Sequence, residues 1–407
     1  MSIFLLASLG LALACSPVPE LLRRGDDLAA KGEHAEAMKL FVQADKHETD
    51  TNQAVMRAGD LNLKLKRNDL ALKAFEQALE KVPGTAGAYV GMAKAYLAKG
   101  VESTALQSLA RAAKLEPGNA DIQFLQGLIH LRRKENTEAM KRFSTAIRLR
   151  PRHSLAHLKR GDILFSDGKL KKALKAYTLA VASDRSNVDA LVQIGRTYLL
   201  AKRPDKASAT LAKAVRLDRD NAWALFYLGQ AQYQLRRYEK AVVSLHSALR
   251  YNRKLGRAYV LLGHIYERNL MRDKAFDAYL RAVRSDTKYL DGYIHLARMQ
   301  LDRKQRRGAR RTLEKALKIA PNCLGCRVLL GRMYVNKRKY KRAIKLLERV
   351  VQKDYQNNEA HFFLGQAYVG LGMIGKATAE YNALSLANDL ERAGALLKKI
   401  EKRSRRR

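Results

Sequence analysis

The chain has 407 residues and a formal net charge of +39, from 78 lysines and arginines against 39 acidic residues. Its three cysteines are too few for a four-cysteine zinc site. The sequence also lacks a phosphate-binding loop that ends in Gly-Lys-Ser or Gly-Lys-Thr, the H-E-x-x-H metal motif and the G-x-S-x-G nucleophile elbow. We therefore expect a protein that is not an enzyme and carries neither a cofactor nor a metal.

The first predicted element is an apolar segment over residues 1–14, which is too short to span a bilayer and is typical of a signal peptide. Leu11–Cys15 resembles the bacterial lipobox. The resemblance implies cleavage after residue 14, acylation of Cys15 and a short tether over residues 15–17. Ser16, where an aspartate would imply retention in the inner membrane, implies the outer membrane. An ordinary secretory signal that happens to contain a cysteine is the alternative.

A helical hairpin is predicted over Gly256–Tyr289, with its turn in the polar segment Glu267–Lys274. Small and large residues share one face on each side of that turn. The first face carries Leu262, Gly263 and Tyr266, and the second carries Ala275, Tyr279 and Ala282. Because small residues let two helices approach closely, the large residue between them can fill the groove that is left.

The same hairpin recurs every 34 residues along the chain. The column of Ala275 is alanine throughout: Ala37, Ala71, Ala105, Ala139, Ala173, Ala207, Ala241, Ala309, Ala343 and Ala377. The column of Gly263 holds only glycine or alanine, and the column of Tyr279 holds only Phe, Tyr or Leu. Prolines mark helix ends in one column, at Pro83, Pro117, Pro151 and Pro321. Columns that stay in phase over this length predict a solenoid of helix pairs.

These columns resemble the tetratricopeptide repeat (TPR) family, and the resemblance covers residues 18–391. It implies an all-α, right-handed superhelical solenoid of about eleven helix hairpins. Residues 392–407 are predicted to form a capping helix and a basic tail. The chain departs from the family pattern in the column of Tyr266, which is often not tyrosine, and at the expected early tryptophan, replaced by residues such as Tyr259.

The positive charge is concentrated beyond residue 117, where 63 basic residues face 25 acidic ones, against 15 and 14 over residues 1–117. Much of it falls in turns and second helices, as in Lys169–Lys172, Arg303–Arg311 and Arg338–Arg342. A field of this size attracts polyanions over about one Debye length, roughly 8–10 Å. The pattern is equally consistent with a solvated face that only keeps the protein soluble.

In TPR proteins the residue after the Gly263 column lines a concave groove, so we define the ladder as the residues at this position. It reads Asp26, Asp60, Lys94, Leu128, Asp162, Arg196, Gln230, His264, Arg298, Arg332 and Gln366. The ladder is acidic at first and becomes cationic or polar later. Trp223 and Tyr227 add aromatic faces close to Gln230, which suits a peptide, a sugar ring or a flat anion. The predicted partner-binding residues are Arg196, Trp223, Tyr227, Gln230, His264, Arg298, Arg332 and Gln366.

Cys323 and Cys326 form a C-x-x-C at a predicted helix start. In an exported protein we expect a local disulfide. A zinc site would need a second pair of ligands, which is absent, and a redox-active pair is a further alternative.

The resemblance implies a non-catalytic scaffold that binds a peptide or helix of another protein. With the lipobox it implies a lipid-anchored outer-membrane protein facing the periplasm that assists an envelope complex for pilus assembly, secretion or polysaccharide export. The basic half suits an anionic polymer such as a polysaccharide or lipopolysaccharide. A cytoplasmic or nucleic-acid-associated regulator and an accessory subunit of a glycosyltransferase are the alternatives.

Overall fold

The structure is a computed structural model and describes residues 17–48 and 50–405. Over these ranges the chain forms 23 helices and no strand. The predicted all-α architecture of successive helix hairpins is confirmed. The predicted signal peptide, Cys15 and the last two residues of the basic tail lie outside the described residues.

The chain consists of two compact units, and the boundary between them falls between Thr197 and Tyr198. The first helices of the hairpins in the first unit are α1 (Val18–Lys31), α3 (Gln53–Lys64), α5 (Ala86–Lys99), α7 (Ala120–Arg132) and α9 (Ser154–Ser166). Their second helices are α2 (His34–His47), α4 (Asn68–Lys81), α6 (Glu102–Leu115), α8 (Asn136–Leu149) and α10 (Leu170–Ser183). Each helix packs on the next one in the chain. Helix α11 (Val188–Leu200) contains the boundary between the units.

The second unit begins with the last part of α11 and α12 (Pro204–Leu217). Its first helices are α13 (Ala222–Gln234), α15 (Gly256–Arg268), α17 (Leu290–Asp302), α19 (Leu324–Asn336) and α21 (Asn358–Leu371). Its remaining second helices are α14 (Tyr238–Tyr251), α16 (Arg272–Ser285), α18 (Arg306–Ile319), α20 (Tyr340–Lys353) and α22 (Ile374–Leu386). Helix α23 (Leu390–Ser404) starts before the predicted residue 392 and packs on α21 and α22.

Helix pairs approach closely where the glycine column meets the large column. A Cβ atom on Gly127 would lie 2.6 Å from Cε1 of Phe143, a distance that real Cβ contacts do not show. Phe143 is fully buried against this bare backbone. Where the column holds alanine instead, at Ala93 and Ala297, the facing large residue is a leucine, at Leu109 and Leu313. Leucine also faces glycine, as in Gly229 with Leu245 and Gly331 with Leu347. The aromatic members of the large column, in contrast, occur only in repeats whose small residue is glycine.

The turn of the predicted Gly256–Tyr289 hairpin is shorter than the segment Glu267–Lys274. The structure confines the turn of the 256–289 hairpin to Asn269–Met271, because α15 continues through Arg268 and α16 begins at Arg272. Its central residue, Leu270, has a positive φ of 60°. The same position in the other repeats is also left-handed, in Gly32, Lys66, Gly100, Lys134, Gly168, Lys202, Arg236, Lys304, Arg338 and Gly372. Many helices end in a single left-handed residue, after which the chain reverses direction.

Polar side chains replace the expected tryptophan in three repeats and bind the preceding turn. His157 Nε2 donates to the Pro151 carbonyl over 3.0 Å, and His361 Nε2 donates to the Tyr355 carbonyl over 2.8 Å. Arg327 makes the same kind of bond to Pro321. The three side chains are buried, so these bonds give their N–H groups an acceptor in the turn.

Within the described ranges, no helix is both long and apolar enough to cross a bilayer.

The matching of small and large residues gives a prediction. We expect Gly127→Ala to lower the free energy of unfolding by about 1–3 kcal/mol, because the added methyl group overpacks against Phe143. Adding Phe143→Leu should recover part of this loss, since the pair then has the composition of Ala93 and Leu109. Urea unfolding of both variants measures the effect.

The control is Gly394→Ala in α23, where an added Cβ meets nothing within 4 Å. This change should stabilise the protein by roughly 0.5–1 kcal/mol through helix propensity. If Gly127→Ala were as stable as the wild type, the close approach would not constrain the hairpin.

Candidate interaction site on the first-helix face

The ladder residues of the first unit are largely engaged by their neighbours. Asp26 accepts a hydrogen bond from Arg57 Nε over 2.9 Å. Asp162 accepts from the Tyr177 hydroxyl and from Lys159 Nζ, each over 3.1 Å. Arg196, predicted to bind a partner, belongs to this unit, where its guanidinium lies 4.3 Å from the centre of the Phe165 ring. The acidic end of the ladder is thus neutralised internally.

The other seven predicted residues belong to the second unit, on its odd-numbered helices. We call the surface formed by the ladder residues of α13, α15, α17, α19 and α21, together with Trp223, the first-helix face of the second unit. Arg298 and Arg332 are exposed there, and Gln230, His264 and Gln366 are half-buried. Arg298 has no ion pair within 4.0 Å among the described residues, whereas Arg332 lies 3.9 Å from the Glu359 carboxylate.

Trp223 is held on this face by buried aromatic rings. Its ring stacks on Tyr227 with centroids 5.8 Å apart and an interplanar angle of 28°, and it meets Phe226 edge-on at 6.0 Å. Trp223 is 43% exposed, whereas Tyr227 is 9% and Phe226 5% exposed. Tyr227 therefore acts as a support for Trp223, and only the indole is offered to a partner.

His264 is part of a polar cluster that extends to the next repeat. Its Nε2 lies 3.1 Å from Nε2 of His295 in α17, and the His295 ring stacks on Tyr279 with centroids 5.1 Å apart. The Tyr279 hydroxyl donates to Glu267 over 2.5 Å. Burial raises the pKa of Tyr279 above its ordinary value. His295, Tyr279 and Glu267 are not among the predicted partner-binding residues.

Both imidazoles of this cluster are neutral at pH 7. Burial lowers the pKa of His264, and burial together with the neighbouring His264 and Arg298 lowers the pKa of His295 to about 4. One Nε2–H can then donate to the other Nε2. Among the ladder residues of the second unit, the positive charge at neutral pH therefore comes from Arg298 and Arg332 and not from His264.

Arginine side chains on this part of the chain also lie over aromatic rings. The Arg332 guanidinium lies 5.6 Å from the centre of the Phe363 ring and 3.9 Å from the Glu359 carboxylate. Arg268 lies 5.2 Å from the Tyr238 ring centre. Such contacts reduce the freedom of the long side chains, so less entropy is lost when a partner binds them.

The second helices α18 and α20 carry a separate basic surface. Its residues are exposed and have no acidic partner within 4.0 Å among the described residues: Arg306, Arg307, Arg311, Lys315, Lys318, Lys341, Arg342, Lys345 and Arg349. Of the two glutamates on these helices, Glu314 pairs with Arg310 and Glu348 accepts from the Tyr368 hydroxyl. We call these nine residues the basic second-helix surface.

The two cysteines lie at the start of α19. Their Sγ atoms are 2.12 Å apart, within bonding distance, and both residues are buried. In the part of the chain that the structure describes, no three His, Cys, Asp or Glu residues come together as metal ligands do. The arrangement is that of the predicted disulfide.

A short glycine-rich segment matches the letters of a nucleotide-binding motif. Gly370 to Gly375 reads G-x-G-x-x-G and is followed by Lys376, but it joins helix α21 to helix α22. A phosphate-binding run of this kind follows a strand and opens a helix. Lys376 Nζ lies 5.5 Å from the centre of the Tyr368 ring. The run is a repeat turn.

Comparison with known proteins identifies the class. Profiles of the tetratricopeptide repeat match residues 22–86, 90–142 and 136–188, residues 164–220 and 334–400, residues 223–253, and residues 256–289. Together they cover most of the chain, which therefore belongs to the tetratricopeptide repeat family. Residues 290–319, which lie between the matched ranges 256–289 and 334–400, form the hairpin of α17 and α18. The protein is thus a helical scaffold of the type that mediates protein–protein interaction.

Several solved structures share the helical-repeat arrangement. Pseudomonas aeruginosa pilF is 19% identical, with 53% of this chain and 97% of that chain covered and a TM-score of 0.48. Yeast Tom70 is 16% identical, with 96% of each chain covered and a TM-score of 0.47. A TPR protein from Parabacteroides merdae is 18% identical, with 61% and 98% covered and a TM-score of 0.48. None of the curated protein sequences matches significantly. These likenesses do not determine the function.

The neutral state of the histidine pair gives a prediction about pH. Because the pKa of folded His295 lies near 4, below its ordinary value of 6.5, the unfolded chain binds more protons between these pH values. As the pH falls through this window, the wild type should lose up to about 2 kcal/mol of unfolding free energy relative to His295→Gln.

Trp223 is the only tryptophan, so its fluorescence during urea unfolding at pH 4 to 7 reports on the second unit. His246→Gln, at an exposed histidine of α14 in the same unit, is the matched control and should follow the wild-type profile. Parallel profiles for wild type and His295→Gln would contradict the neutral pair.

Proposed function

We propose that the protein is a non-catalytic scaffold that holds a segment of another protein on the first-helix face of its second unit. The observation that carries the proposal is Trp223, an exposed indole fixed by the buried rings of Phe226 and Tyr227. Interface hot spots are enriched in such anchored aromatics and in arginine. Arg298 and Arg332, exposed on the same face, supply the second ingredient.

The charge of this face favours a partner segment with acidic residues next to an apolar one. Two exposed arginines attract carboxylates, while Trp223 offers an apolar surface. The cluster of neutral His264 and His295 adds hydrogen-bonding groups without adding charge at pH 7. Specificity would then come from the spacing between an apolar side chain and its acidic neighbours.

We expect Arg298→Glu with Arg332→Glu to weaken capture of the partner at least about tenfold, since two favourable charges become unfavourable. The loss should shrink as salt is raised, because salt screens exposed charges. Quantitative pull-down at 50, 150 and 500 mM salt measures both effects.

The matched control is Lys315→Glu with Lys345→Glu, which makes the same change of net charge on the basic second-helix surface. Capture by this control should stay within about twofold of wild type. Equal losses in both double variants would show that general charge, and not the first-helix face, retains the partner.

For the location of the protein, we propose the periplasmic side of a bacterial outer membrane, with acylated Cys15 as anchor. The support is the lipobox-like Leu11–Cys15 and the residue Ser16 after it. The adjacent Cys323 and Cys326 fit an oxidising compartment. TPR lipoproteins of this kind assist pilus assembly, secretion or polysaccharide export, and we place the protein in this group of assembly factors.

Metabolic labelling with palmitate tests the anchor. The wild type should incorporate the label and sediment with membranes, and Cys15→Ala should do neither, because the cysteine is the site of acylation. A wild-type protein that takes up no label and remains in the cytosol would instead favour the cytoplasmic or nucleic-acid-associated regulator.

The basic second-helix surface supports a second proposal, an anionic polymer such as a polysaccharide or lipopolysaccharide as an additional partner. Its nine cations lack acidic neighbours within 4.0 Å in the described ranges, so their field is not cancelled locally. Binding of heparin or of purified lipopolysaccharide tests this proposal. The variant Lys315→Glu, Lys345→Glu should lose the binding, and the variant Arg298→Glu, Arg332→Glu should keep it.

A further inference from the structure

Polar residues in the Tyr266 column usually find a partner inside their own repeat. Gln232 accepts from the Ser244 hydroxyl over 2.8 Å, and Gln300 accepts from the Thr312 hydroxyl over the same distance. In both cases the hydroxyl lies twelve residues further on, on the second helix. The pairing satisfies a side-chain amide in the interior of the hairpin.

Asn62 occupies the same column in the second repeat but lacks this partner. The residue twelve positions on is Ala74, which has no hydroxyl. Asn62 is 6% exposed, and its Oδ1 atom is buried without a hydrogen-bond partner. A buried amide oxygen without a donor is destabilising by about 1–3 kcal/mol, so a bound group that donates to it would remove this cost.

A cavity of about 330 Å³ opens beside Asn62, between α2, α3 and α4 of the first unit. Its walls are mainly apolar, including Met38, Phe41 and Val55. Asn62 is the only polar residue of its lining that is buried. We call this cavity the Asn62 pocket.

The equivalent space in the eighth repeat is smaller because larger side chains occupy it. There a cavity of about 230 Å³ is lined by Tyr259, Leu262 and Tyr266. The second repeat has Val55, Ala58 and Asn62 at these three positions. The second repeat thus has a smaller side chain at each of these three positions, and it lacks the two tyrosine rings that line the eighth-repeat space.

The residues at the mouth of the Asn62 pocket are suited to an interface with another polypeptide. Val42 is 50% and Leu70 49% exposed, so apolar surface surrounds the opening. Arg67 and Lys73, also exposed, add positive charge beside it. An apolar rim around a pocket with one buried polar group is typical of sites that take an anchoring side chain.

We propose that the Asn62 pocket receives a tyrosine side chain of a partner protein. The phenol ring would replace the rings that the eighth repeat supplies from its own sequence. Its hydroxyl both donates and accepts, so it can pair with the Asn62 amide in either orientation of that amide. This site lies in the first unit and is additional to the first-helix face of the second unit.

The probes are p-cresol, which is the tyrosine side chain alone, toluene, which lacks the hydroxyl, and N-acetyltyrosinamide, which adds the backbone. Chemical-shift titration of the full chain should show saturable binding of p-cresol, with toluene about threefold to tenfold weaker because it forms no hydrogen bond. N-acetyltyrosinamide should bind about as tightly as p-cresol. Failure of p-cresol to saturate, or exclusion of N-acetyltyrosinamide, would overturn the proposal.

Two variants test the role of Asn62. Asn62→Tyr should fill the pocket and abolish saturable p-cresol binding. Gln300→Tyr, which also replaces a side-chain amide by tyrosine in the same column, should leave p-cresol binding intact. Ala74→Ser reproduces the Gln232–Ser244 pairing, so it should raise the melting temperature and weaken p-cresol roughly tenfold. Wild-type affinity in Ala74→Ser would overturn the assignment of Asn62, even if Asn62→Tyr failed to fold.

Discussion

The close approach of the two helices in each hairpin is the constraint on which the rest of the structure depends. Gly127 illustrates it, since a Cβ atom there would lie 2.6 Å from Cε1 of Phe143. Ala93 with Leu109 is a second combination found at these two positions. Because every repeat must meet this condition, the packing residues do not determine which partner binds. The side chains that packing does not fix determine it.

Those side chains differ between the two units. In the first unit, Asp26 and Asp162 are bound by residues of the protein itself, and the unusual feature is the unfilled Asn62 pocket. In the second unit, Trp223 and Arg298 are exposed on the first-helix face. The same repeat can carry ladder residues that bind other residues of the protein and ladder residues that are exposed, because packing restricts only the buried columns.

Much of the fold could be predicted because the buried columns are periodic. Ala275 and Tyr279 recur at one spacing, and prolines such as Pro151 mark where second helices end. The left-handed turn residue could not be predicted, since Leu270, Lys304 and Gly372 all adopt it and only glycine is suited to it intrinsically. Here the tertiary contacts of the hairpin override local preference.

The candidate site was only partly predictable for a related reason. Trp223 and Arg298 follow from the ladder and its neighbours, but His295 joins His264 from the next repeat at a position that the ladder does not include. The missing partner of Asn62 does have a sequence signal, the alanine twelve residues on. That signal gains its meaning only from the Gln232–Ser244 and Gln300–Thr312 bonds in the structure. Contacts between side chains of different repeats depend on register and reach, which one repeat alone does not specify.

Recognition of a partner on the first-helix face of the second unit is the central proposal, and site-specific photocrosslinking in cells tests it most directly. A benzoylphenylalanine would replace Trp223, Arg298 or Arg332 in turn, and Val243, Lys315 or Lys345 on second helices as the comparison set. We expect each of the first three positions to crosslink the same partner protein, which gives an adduct of one mass. The comparison positions should not form this adduct. An adduct formed only from the second-helix positions would contradict the account.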